Sequence, residues 1–498
     1  MRVDALASID DPDAIGDLAS RALETGEEAA AIPVVQAAAE RLRDATLWQW
    51  TALLQRSLDE HEAALASFTA AARLAPDDFT IAHGHARTAM EAGVDALALY
   101  ERARALRPRN GALLIGFAAA EAAAGNGEKA AERLRQALER APMWIAGHEQ
   151  LAQLLSTLGR GAESTRSLEQ AITLLPNEPA LREALLNLEL RSGRYQRLQD
   201  RVSEARAAGV EFPELVIYEA IYAAQHDVSA MPEALFGPAS RQFDEVLDLW
   251  RLRHLLRTGS PEVALPILDR RLNGPRSAEL WAYAATVWRA VNDPRCEWLI
   301  GQPKMVQIVD LRASLPPLDE LAGFLRSLHQ ARGEYLDQSV RGGTQTDGPL
   351  FSRTDPLIRK VRAAVASAVD SYIQDLPPAD PRHPLLSHRR DRPVRFSGSW
   401  SVRLRSGGKH ANHVHPQGWI SSALYIALPD RSDDDPKDAG WFTIGDPDEK
   451  LGLTLGPART IEPVQGRLVL FPSYFWHGTI PFVEGERLTI AFDVRPPV

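Results

Sequence analysis

The feature that most limits the fold of this 498-residue chain is a residue spacing that recurs in its first half. A small residue is followed by a large apolar residue four positions later, by a small residue three positions after that, and by a proline five positions further on. Four segments follow this spacing, and their closing prolines lie 32, 34 and 34 residues apart. The four sets are Ala64, Phe68, Ala71 and Pro76; Ala96, Tyr100, Ala103 and Pro108; Ala130, Leu134, Ala137 and Pro142; and Ser164, Leu168, Ala171 and Pro176.

Each of these sets predicts a helix, because residues three and four positions apart share one helix face. The helix should end at its proline, which cannot donate a backbone hydrogen bond and clashes with the preceding turn. An earlier helix is predicted before each set. These earlier helices span residues 48–57, 81–92, 112–124 and 144–157. Gly93, Gly125 and Gly159 lie between the two helices of their units, where a positive φ is often required.

The period makes residues 45–178 resemble the tetratricopeptide repeat, a helix–turn–helix unit of 34 residues. Ser164 in the small-residue position and Gln55 in place of an aromatic residue depart from that family. Further helices, without closing prolines, are predicted over 181–191, 195–208, 243–256, 262–272 and 278–291. We therefore expect tetratricopeptide repeats over 1–180 and degenerate helical repeats capping the solenoid over 181–300. The resemblance implies an arm that binds a protein or peptide.

Composition and charge exclude several classes of partner. Asp and Glu total 66 against 56 Lys and Arg, for a net charge of −10, which argues against nucleic acids and anionic membranes. No stretch reaches the roughly 18 apolar residues that span a bilayer, and the N-terminus has no apolar core of a signal peptide. The single cysteine, Cys296, rules out an intramolecular disulfide and a Cys-based zinc site. These features predict a soluble cytoplasmic protein with no nucleic-acid or membrane partner.

The sequence changes near residue 300, where alanine-rich helices give way to segments broken by proline and glycine. Helices are predicted over 318–330 and 356–373, with a Gly-rich polar stretch between them over 338–351. Strands are then predicted over 394–404, 419–427, 440–444, 467–471 and 487–494. Short strands at such intervals favour a sandwich or barrel with helices packed on it. The predicted fold class is therefore multidomain, with an α-solenoid followed by an α+β domain over 301–498.

A histidine pattern indicates the chemistry of this C-terminal domain. His413 and His415 stand at positions i and i+2, which point to the same side of an extended strand, so their imidazoles can bind one metal ion. A third histidine, His477, follows the predicted strand RLVLFP, and Arg487 begins the last strand ten residues later. His410 is predicted to be an ordinary residue on a polar loop. We expect His413, His415 and His477 to form a metal site.

The order of these residues resembles the double-stranded β-helix (jelly-roll) oxygenases that use Fe(II), 2-oxoglutarate and O2. The similarity is greatest to a bacterial and phage group with an H-x-H-P segment, an FP…WH segment and a final arginine. By this resemblance, His413 and His477 are iron ligands. Arg487 would form a salt bridge with the far carboxylate of 2-oxoglutarate, for which a planar guanidinium is suited. Thr489 and Tyr425 are expected to hydrogen-bond the same carboxylate.

The third metal ligand is open at this point, because the family's usual set is two histidines and one carboxylate. The carboxylate position of that set holds His415 in this chain. A three-histidine site completed by His415 is the favoured interpretation. Asp446, at the end of the predicted strand WFTIGD, is the alternative third ligand, and two histidines with water are another arrangement. The resemblance as a whole covers about residues 302–498.

The resemblance implies a dioxygenase that hydroxylates a protein or peptide side chain recruited by the repeats. A cupin-type metalloenzyme with Mn or Zn is one alternative, although the glutamate of its first motif is missing after His415. A catalytically inactive repeat scaffold for protein interaction is another, since His415 occupies the carboxylate position. For the arm itself, the alternative role is a homodimer whose C-terminal domain acts on a small molecule.

Overall fold

The computed structural model of the protein describes residues 11–226, 236, 247–272, 278–336, 339–430 and 435–497. Helices occupy most of the described chain as far as Ala290, and two antiparallel sheets follow. This order confirms the predicted fold class, in which an α-solenoid precedes an α+β domain. None of the described helices combines the length and the apolar character needed to cross a membrane.

Most helices follow the predicted segments, with ends that differ by a few residues, whereas the helices Pro12–Thr25, Glu28–Leu42 and Leu215–His226 lie where no individual helix is predicted. The solenoid contains α1 (Pro12–Thr25), α2 (Glu28–Leu42), α3 (Ala45–Ser57), α4 (His61–Leu74), α5 (Phe79–Glu91), α6 (Leu97–Leu106), α7 (Gly111–Ala123), α8 (Gly127–Arg140), α9 (Ile145–Thr157), α10 (Arg166–Leu174), α11 (Pro179–Arg191) and α12 (Tyr195–Ala207). After it come α13 (Leu215–His226), α14 (residues 247–257), α15 (Pro261–Leu272), α16 (Ala278–Ala290), α17 (Leu318–Leu328) and α18 (Pro356–Asp375). The first residues of the helix predicted over 243–256 lie outside the described residues.

Each predicted repeat folds as two helices joined by a tight turn. Gly93, Gly125 and Gly159 adopt φ values of 74°, 82° and 79° in these turns, a left-handed conformation that favours glycine. The side chains of Asp44 and Asp78 accept hydrogen bonds from backbone N–H groups at the starts of α3 and α5 and so cap those helices. The glycine turns are therefore confirmed as the boundaries within the repeats.

The spaced residues of the sequence pattern form the contacts between neighbouring helices. Phe68 and Ala71 are completely buried. A Cβ on Gly84 would lie only 2.8 Å from the Phe68 ring, so the missing side chain allows the two helices to approach closely. Tyr100 stacks on Phe117 of the next repeat, with ring centroids 5.8 Å apart. Large side chains filling gaps left by small ones explain why the spacing recurs.

Two antiparallel sheets form the C-terminal domain. Their strands are β1 (Gln307–Asp310), β2 (Val340–Gln345), β3 (Phe396–His410), β4 (Ile420–Ala427), β5 (Phe442–Ile444), β6 (Arg459–Ile461), β7 (Arg467–Pro472), β8 (His477–Thr479) and β9 (Glu486–Val494). The larger sheet has the order β1-β7-β4-β9-β3-β2, and the smaller sheet has the order β6-β5-β8. Two sheets with these crossed connections form the predicted double-stranded β-helix.

Four of these strands, β1, β2, β6 and β8, are absent from the sequence prediction. The clearest case is β2, which lies in the glycine-rich polar stretch between two predicted helices, where no strand is predicted. It pairs with β3, and a Cβ on Gly343 would lie 2.5 Å from the carbonyl oxygen of Arg403. Glycine within a strand permits such a close approach of backbones, and it also hides the strand from a pattern of apolar residues.

One hydrophobic core joins the later helices to the sheets. It contains Leu252 of α14 and Trp288 of α16 together with Phe492 of β9. Trp476, just before β8, donates from its indole N–H to the carbonyl oxygen of Ala282 in α16 at 3.1 Å. We therefore propose that the C-terminal folding unit includes α14, α15 and α16 and so extends upstream of the predicted boundary at residue 300.

Turns of the solenoid pack directly against the C-terminal domain. Their carbonyl groups accept hydrogen bonds from that domain, namely Arg362 Nη2 to Leu58 O (2.9 Å), Thr354 N to Ala92 O (3.0 Å) and Arg332 N to Thr157 O (2.8 Å). A Cβ on Gly333 would lie 2.3 Å from the carbonyl oxygen of Ser156, so glycine permits this contact. Leu336 packs against the core that α9, α10 and α11 share. The solenoid is therefore fixed against the C-terminal domain.

A buried ion pair at this junction should contribute strongly to stability. Both carboxylate oxygens of Glu28 accept hydrogen bonds from the guanidinium of Arg395, and the Glu28 side chain is 1% exposed. Removing one partner of a buried pair leaves an uncompensated charge, at a cost of about 3–5 kcal/mol. We expect Glu28→Ala to lower the free energy of unfolding by about that amount, measured by urea denaturation.

The matched control is the exposed pair Glu62–Arg359, which joins the same two parts of the chain at 2.7 Å. An exposed pair contributes about 0–1 kcal/mol, so Glu62→Ala should change the urea midpoint little. Equal effects of the two substitutions would contradict a special contribution of the Glu28–Arg395 pair.

His383 should make the stability of the protein depend on pH. Its Nδ1 accepts hydrogen bonds from the backbone N–H groups of Leu385 (3.1 Å) and Leu386 (3.3 Å), and burial lowers its pKa from 6.5 to about 4. As the pH falls from 6.5 toward 4, His383 binds a proton in the unfolded chain but stays neutral in the folded protein. Stability is therefore lost on acidification, at about 1.4 kcal/mol per pH unit.

Between about pH 7 and pH 5, the unfolding free energy of the wild type should fall by roughly 2 kcal/mol more than that of His383→Gln. Urea denaturation at the two pH values measures this difference. An equal fall of the unfolding free energy in the two proteins would show that His383 does not cause this pH dependence.

Candidate metal centre

The three histidines of the sequence pattern meet beside the smaller sheet. His413 follows β3 and forms an isolated antiparallel bridge with His477, the first residue of β8. Two backbone hydrogen bonds of 3.0 Å join this pair. The backbone N–H of His415 donates to the carbonyl oxygen of Ser473 at 3.0 Å. Strand pairing thus brings together residues that lie more than sixty positions apart in the chain.

The three imidazole rings converge on one point. Nε2 of His413 lies 3.0 Å from Nε2 of His415, and one nitrogen from each ring, including that of His477, lies within 4.8 Å of the others. Among the described residues, these three are the only His, Cys, Asp or Glu side chains grouped in this way. Three nitrogens at such distances can bind a single metal ion.

The other nitrogen of each ring, Nδ1, is held by an acceptor. The contacts are His413 Nδ1 to Ala411 O (2.8 Å), His477 Nδ1 to Phe475 O (2.9 Å) and His415 Nδ1 to Asp493 Oδ2 (2.6 Å). Because carbonyl and carboxylate oxygens accept hydrogen bonds, we assign the ring proton to each Nδ1, which leaves a lone pair on each Nε2. Outer hydrogen bonds of this kind fix the tautomer and the orientation of metal-binding histidines.

The lone pairs of three Nε2 atoms repel one another at these distances unless a positive charge lies between them. Burial, together with the charge of neighbouring imidazoles, lowers the pKa of His413 to about 3 and that of His477 well below 6.5. A proton at neutral pH is therefore a poor partner for these two rings. A divalent transition-metal ion, including Fe(II), fits this set of neutral imidazole donors.

Asp446, the alternative third ligand, lies outside the histidine group. Its Oδ2 accepts a hydrogen bond from Nδ2 of Asn412 at 3.1 Å. The residue that the structure brings to His413 and His477 is His415. The geometry therefore favours His415 over Asp446 as the third donor.

A fourth imidazole, His410, packs against the group. The polar-loop prediction for this residue is wrong, because β3 extends further than predicted and His410 is its last residue. Its ring stacks on that of His413, with centroids 5.8 Å apart. Ser339 Oγ lies 3.1 Å from His410 Nδ1 and 3.2 Å from His413 Nε2. His410 and Ser339 thus form one wall of the metal site.

Arg487, Thr489 and Tyr425 lie together on one face of the larger sheet. Arg487 and Thr489 are two positions apart on β9 and therefore point to the same side. Tyr425 of β4 is paired directly with Thr489. The guanidinium carbon of Arg487 lies 5.0 Å from the centroid of the Tyr425 ring. The three residues that the resemblance assigns to the 2-oxoglutarate carboxylate are therefore neighbours.

Arg487 carries a buried positive charge without a carboxylate partner in the described part of the chain. It is 3% exposed; its Nη1 donates to the carbonyl oxygen of Gly440 at 3.1 Å, and its Nε has no hydrogen-bond partner. The adjacent Glu486 pairs instead with Arg326 and Arg403. An unpaired buried charge is unfavourable, so the site is suited to an anion.

The guanidinium also lies near the histidine group. Burial is the main cause that lowers the pKa of His410 well below 6.5, and the charges of His413 and Arg487 lower it further. Arg487 is therefore within electrostatic range of His410, whose ring stacks on that of His413.

Asp493 is a site residue that the sequence analysis misses. It accepts the hydrogen bond from His415 Nδ1, and its other oxygen, Oδ1, accepts one from Ser421 Oγ at 2.6 Å. A usable signal exists in strand β9, because Asp493 is six positions from Arg487 and four from Thr489. An even spacing puts all three side chains on the same face, where an acidic residue needs a polar partner.

Comparison with known proteins agrees with this geometry. Residues 398–493 match the family described as "Putative 2OG-Fe(II) oxygenase". The match begins in β3 and ends in β9, so it includes all three clustered histidines and Arg487.

Solved structures with similarity to parts of the chain include both helical repeats and an oxygenase. A Pseudomonas putida prolyl-4-hydroxylase is 18% identical, with 39% of this chain and 92% of that chain covered, at a TM-score of 0.26. A tetratricopeptide repeat protein from Parabacteroides merdae is 18% identical, with 47% and 95% covered, at 0.29. A thermophilic TPR protein of Thermus thermophilus is 20% identical, with 36% and 98% covered, at 0.27. By its own fold and its family match, the chain joins a solenoid of tetratricopeptide-like repeats to a double-stranded β-helix domain that matches the 2OG-Fe(II) oxygenase family over residues 398–493.

Proposed function

We propose that the protein is an Fe(II)- and 2-oxoglutarate-dependent dioxygenase. The observation that supports this most is the convergence of three imidazole lone pairs next to a buried, unpaired guanidinium. The first group suits a divalent metal ion, and the second suits a carboxylate. A cosubstrate that chelates the metal at one end and carries a carboxylate at the other satisfies both groups.

In this proposal, His413, His415 and His477 hold Fe(II) through their Nε2 atoms. The outer hydrogen bonds on Nδ1 keep the rings oriented before the metal binds, so little reorganisation is needed. Fe(II) would supply the activation of O2, coupled to oxidation of 2-oxoglutarate to succinate and CO2. With three ring nitrogens bound to the metal, positions remain for the cosubstrate and for O2.

Arg487 would grip the distal carboxylate of 2-oxoglutarate with Thr489 and Tyr425. The planar guanidinium can donate two parallel hydrogen bonds to a carboxylate. Its burial excludes water from the pair and strengthens the attraction. These residues would fix the distance of the cosubstrate from the histidine group, so that its keto-acid end reaches the metal.

The proposed substrate is a protein or peptide side chain that the repeats present for hydroxylation. The hydrogen bonds between solenoid turns and the C-terminal domain support this, because they hold the arm and the site in a fixed relation. The competing hypothesis is that the arm forms a homodimer and that the C-terminal domain acts on a small molecule.

The direct test is production of succinate from 2-oxoglutarate by the purified protein with Fe(II) and O2. We expect succinate production that depends on both Fe(II) and O2. Metal-dependent activity without consumption of 2-oxoglutarate would support a cupin-type enzyme instead. If the protein binds metal but shows neither 2-oxoglutarate oxidation nor another metal-dependent reaction, even with candidate peptides present, the result would support an inactive scaffold.

A further inference from the structure

We propose that Asp493 is the carboxylate of this metal site, placed one hydrogen bond outside the ligand shell. It orients His415 and supplies the negative charge that the usual two-histidine, one-carboxylate set provides directly. This inference rests on the proposed function, in which His415 is a metal ligand. Asp493 is a positioning residue in it, since it would act through His415.

The geometry around Asp493 leaves its carboxylate little freedom. Oδ2 lies 2.6 Å from His415 Nδ1, and Oδ1 lies 2.6 Å from Ser421 Oγ. Ser421 Oγ is in turn 2.9 Å from Ser473 Oγ, and Asp493 is buried, with a side chain that is 12% exposed. Both oxygens are thus engaged, and the ring of His415 is held with its Nε2 toward the other histidines.

His415 differs in this respect from its two partners. Nδ1 of His413 and Nδ1 of His477 donate to neutral backbone carbonyl groups. Among the three rings, only that of His415 donates to a carboxylate. Hydrogen bonding to an anion raises the basicity of an imidazole ligand, so His415 is expected to be the strongest donor of the set.

The charge balance of the metal site also supports the role proposed for Asp493. Three neutral imidazoles leave the double positive charge of a divalent ion uncompensated, whereas the usual set contributes one negative charge. Asp493 restores that negative charge within one hydrogen bond of the ligand that replaces the carboxylate. Asp446 does not, because its carboxylate accepts from Asn412 rather than from a clustered histidine.

The test is the affinity of the full-length protein for Co(II), an air-stable probe of the same charge, measured by titration of its visible absorption. We expect Asp493→Asn to weaken Co(II) binding by roughly 10–100-fold, the usual cost of losing an outer partner of a metal ligand. The matched control Asp446→Asn should stay within about twofold of the wild type. Equal affinities of Asp493→Asn and the wild type would overturn the proposal.

A double-mutant cycle separates this role from a merely structural one. His415→Asp moves a carboxylate into the ligand shell, next to Asp493. In that background the second carboxylate is repulsive, so adding Asp493→Asn should leave Co(II) affinity unchanged or improve it. Tight binding by the double variant would also prove that Asn is tolerated at position 493 in the folded protein.

A loss of the same size in both backgrounds would show that Asp493 only maintains the fold, and the proposal would be wrong. That result would leave the proposed function standing if His477→Ala abolishes binding in the same assay. Absence of Co(II) binding by the wild type would overturn both the proposed metal site and this inference.

Discussion

His477→Ala should abolish the tight binding of a divalent metal and, with it, the oxidation of 2-oxoglutarate. His477 supplies one of the three converging nitrogens, and the ring is 6% exposed. Its loss should weaken Co(II) binding by more than the roughly 10–100-fold that follows from losing an outer partner. Isothermal titration with Co(II) measures the change.

The matched control for this substitution is His410→Ala. His410 stacks on His413, yet its ring is outside the group whose nitrogens lie within 4.8 Å. We expect His410→Ala to retain most of the Co(II) affinity. If His410→Ala lost binding while His477→Ala kept it, the metal would have to lie on the other side of His413.

Arg487→Met should weaken the binding of 2-oxoglutarate to the Co(II)-loaded protein while leaving Co(II) affinity nearly unchanged. Truncating one partner of a buried, hydrogen-bonded charge pair costs about 2–5 kcal/mol. This corresponds to roughly a 30-fold to several thousand-fold loss of affinity. Titration calorimetry with 2-oxoglutarate, in the absence of O2, measures the dissociation constants of the variant and the wild type and so gives their ratio.

The free protein provides an internal check on Arg487. Burial lowers the pKa of the guanidinium from its usual value, because a charge without a counterion is disfavoured in the interior. Arg487→Met should therefore melt no lower than the wild type in the absence of 2-oxoglutarate. Arg405, exposed on β3, is the matched control, and Arg405→Met should bind 2-oxoglutarate normally. Equal losses in both variants would point to a general effect of charge.

The sequence predicts the repeats and the histidine group because both depend on local spacing. The period of Pro76, Pro108, Pro142 and Pro176 reports helix faces and helix ends, and the predicted helices are present in the structure. His413 and His415 share a strand face by simple alternation. The position of His477 beside them, by contrast, follows from the isolated bridge between His413 and His477, and the sequence prediction took this position from family resemblance.

The contacts that could not be predicted from the sequence are those made to backbone carbonyl groups of distant residues. Arg362 and Thr354 bind carbonyl oxygens of solenoid turns, and any residue offers a carbonyl group, so no pattern marks the partner. Strand β2 is hidden for a related reason, since Gly342 and Gly343 contribute pairing but no apolar side chain. Asp493 could have been predicted from the sequence, because its even spacing from Arg487 places both side chains on the same face of β9.

The most direct measurement is a crystal structure of the protein grown without O2 in the presence of Fe(II) and 2-oxoglutarate. We predict one metal ion about 2.1 Å from Nε2 of His413, His415 and His477, the usual metal–imidazole distance. The distal carboxylate of 2-oxoglutarate should lie within about 3 Å of the Arg487 guanidinium. A metal bound away from these nitrogens, or a cosubstrate that leaves Arg487 unpaired, would contradict the proposed function.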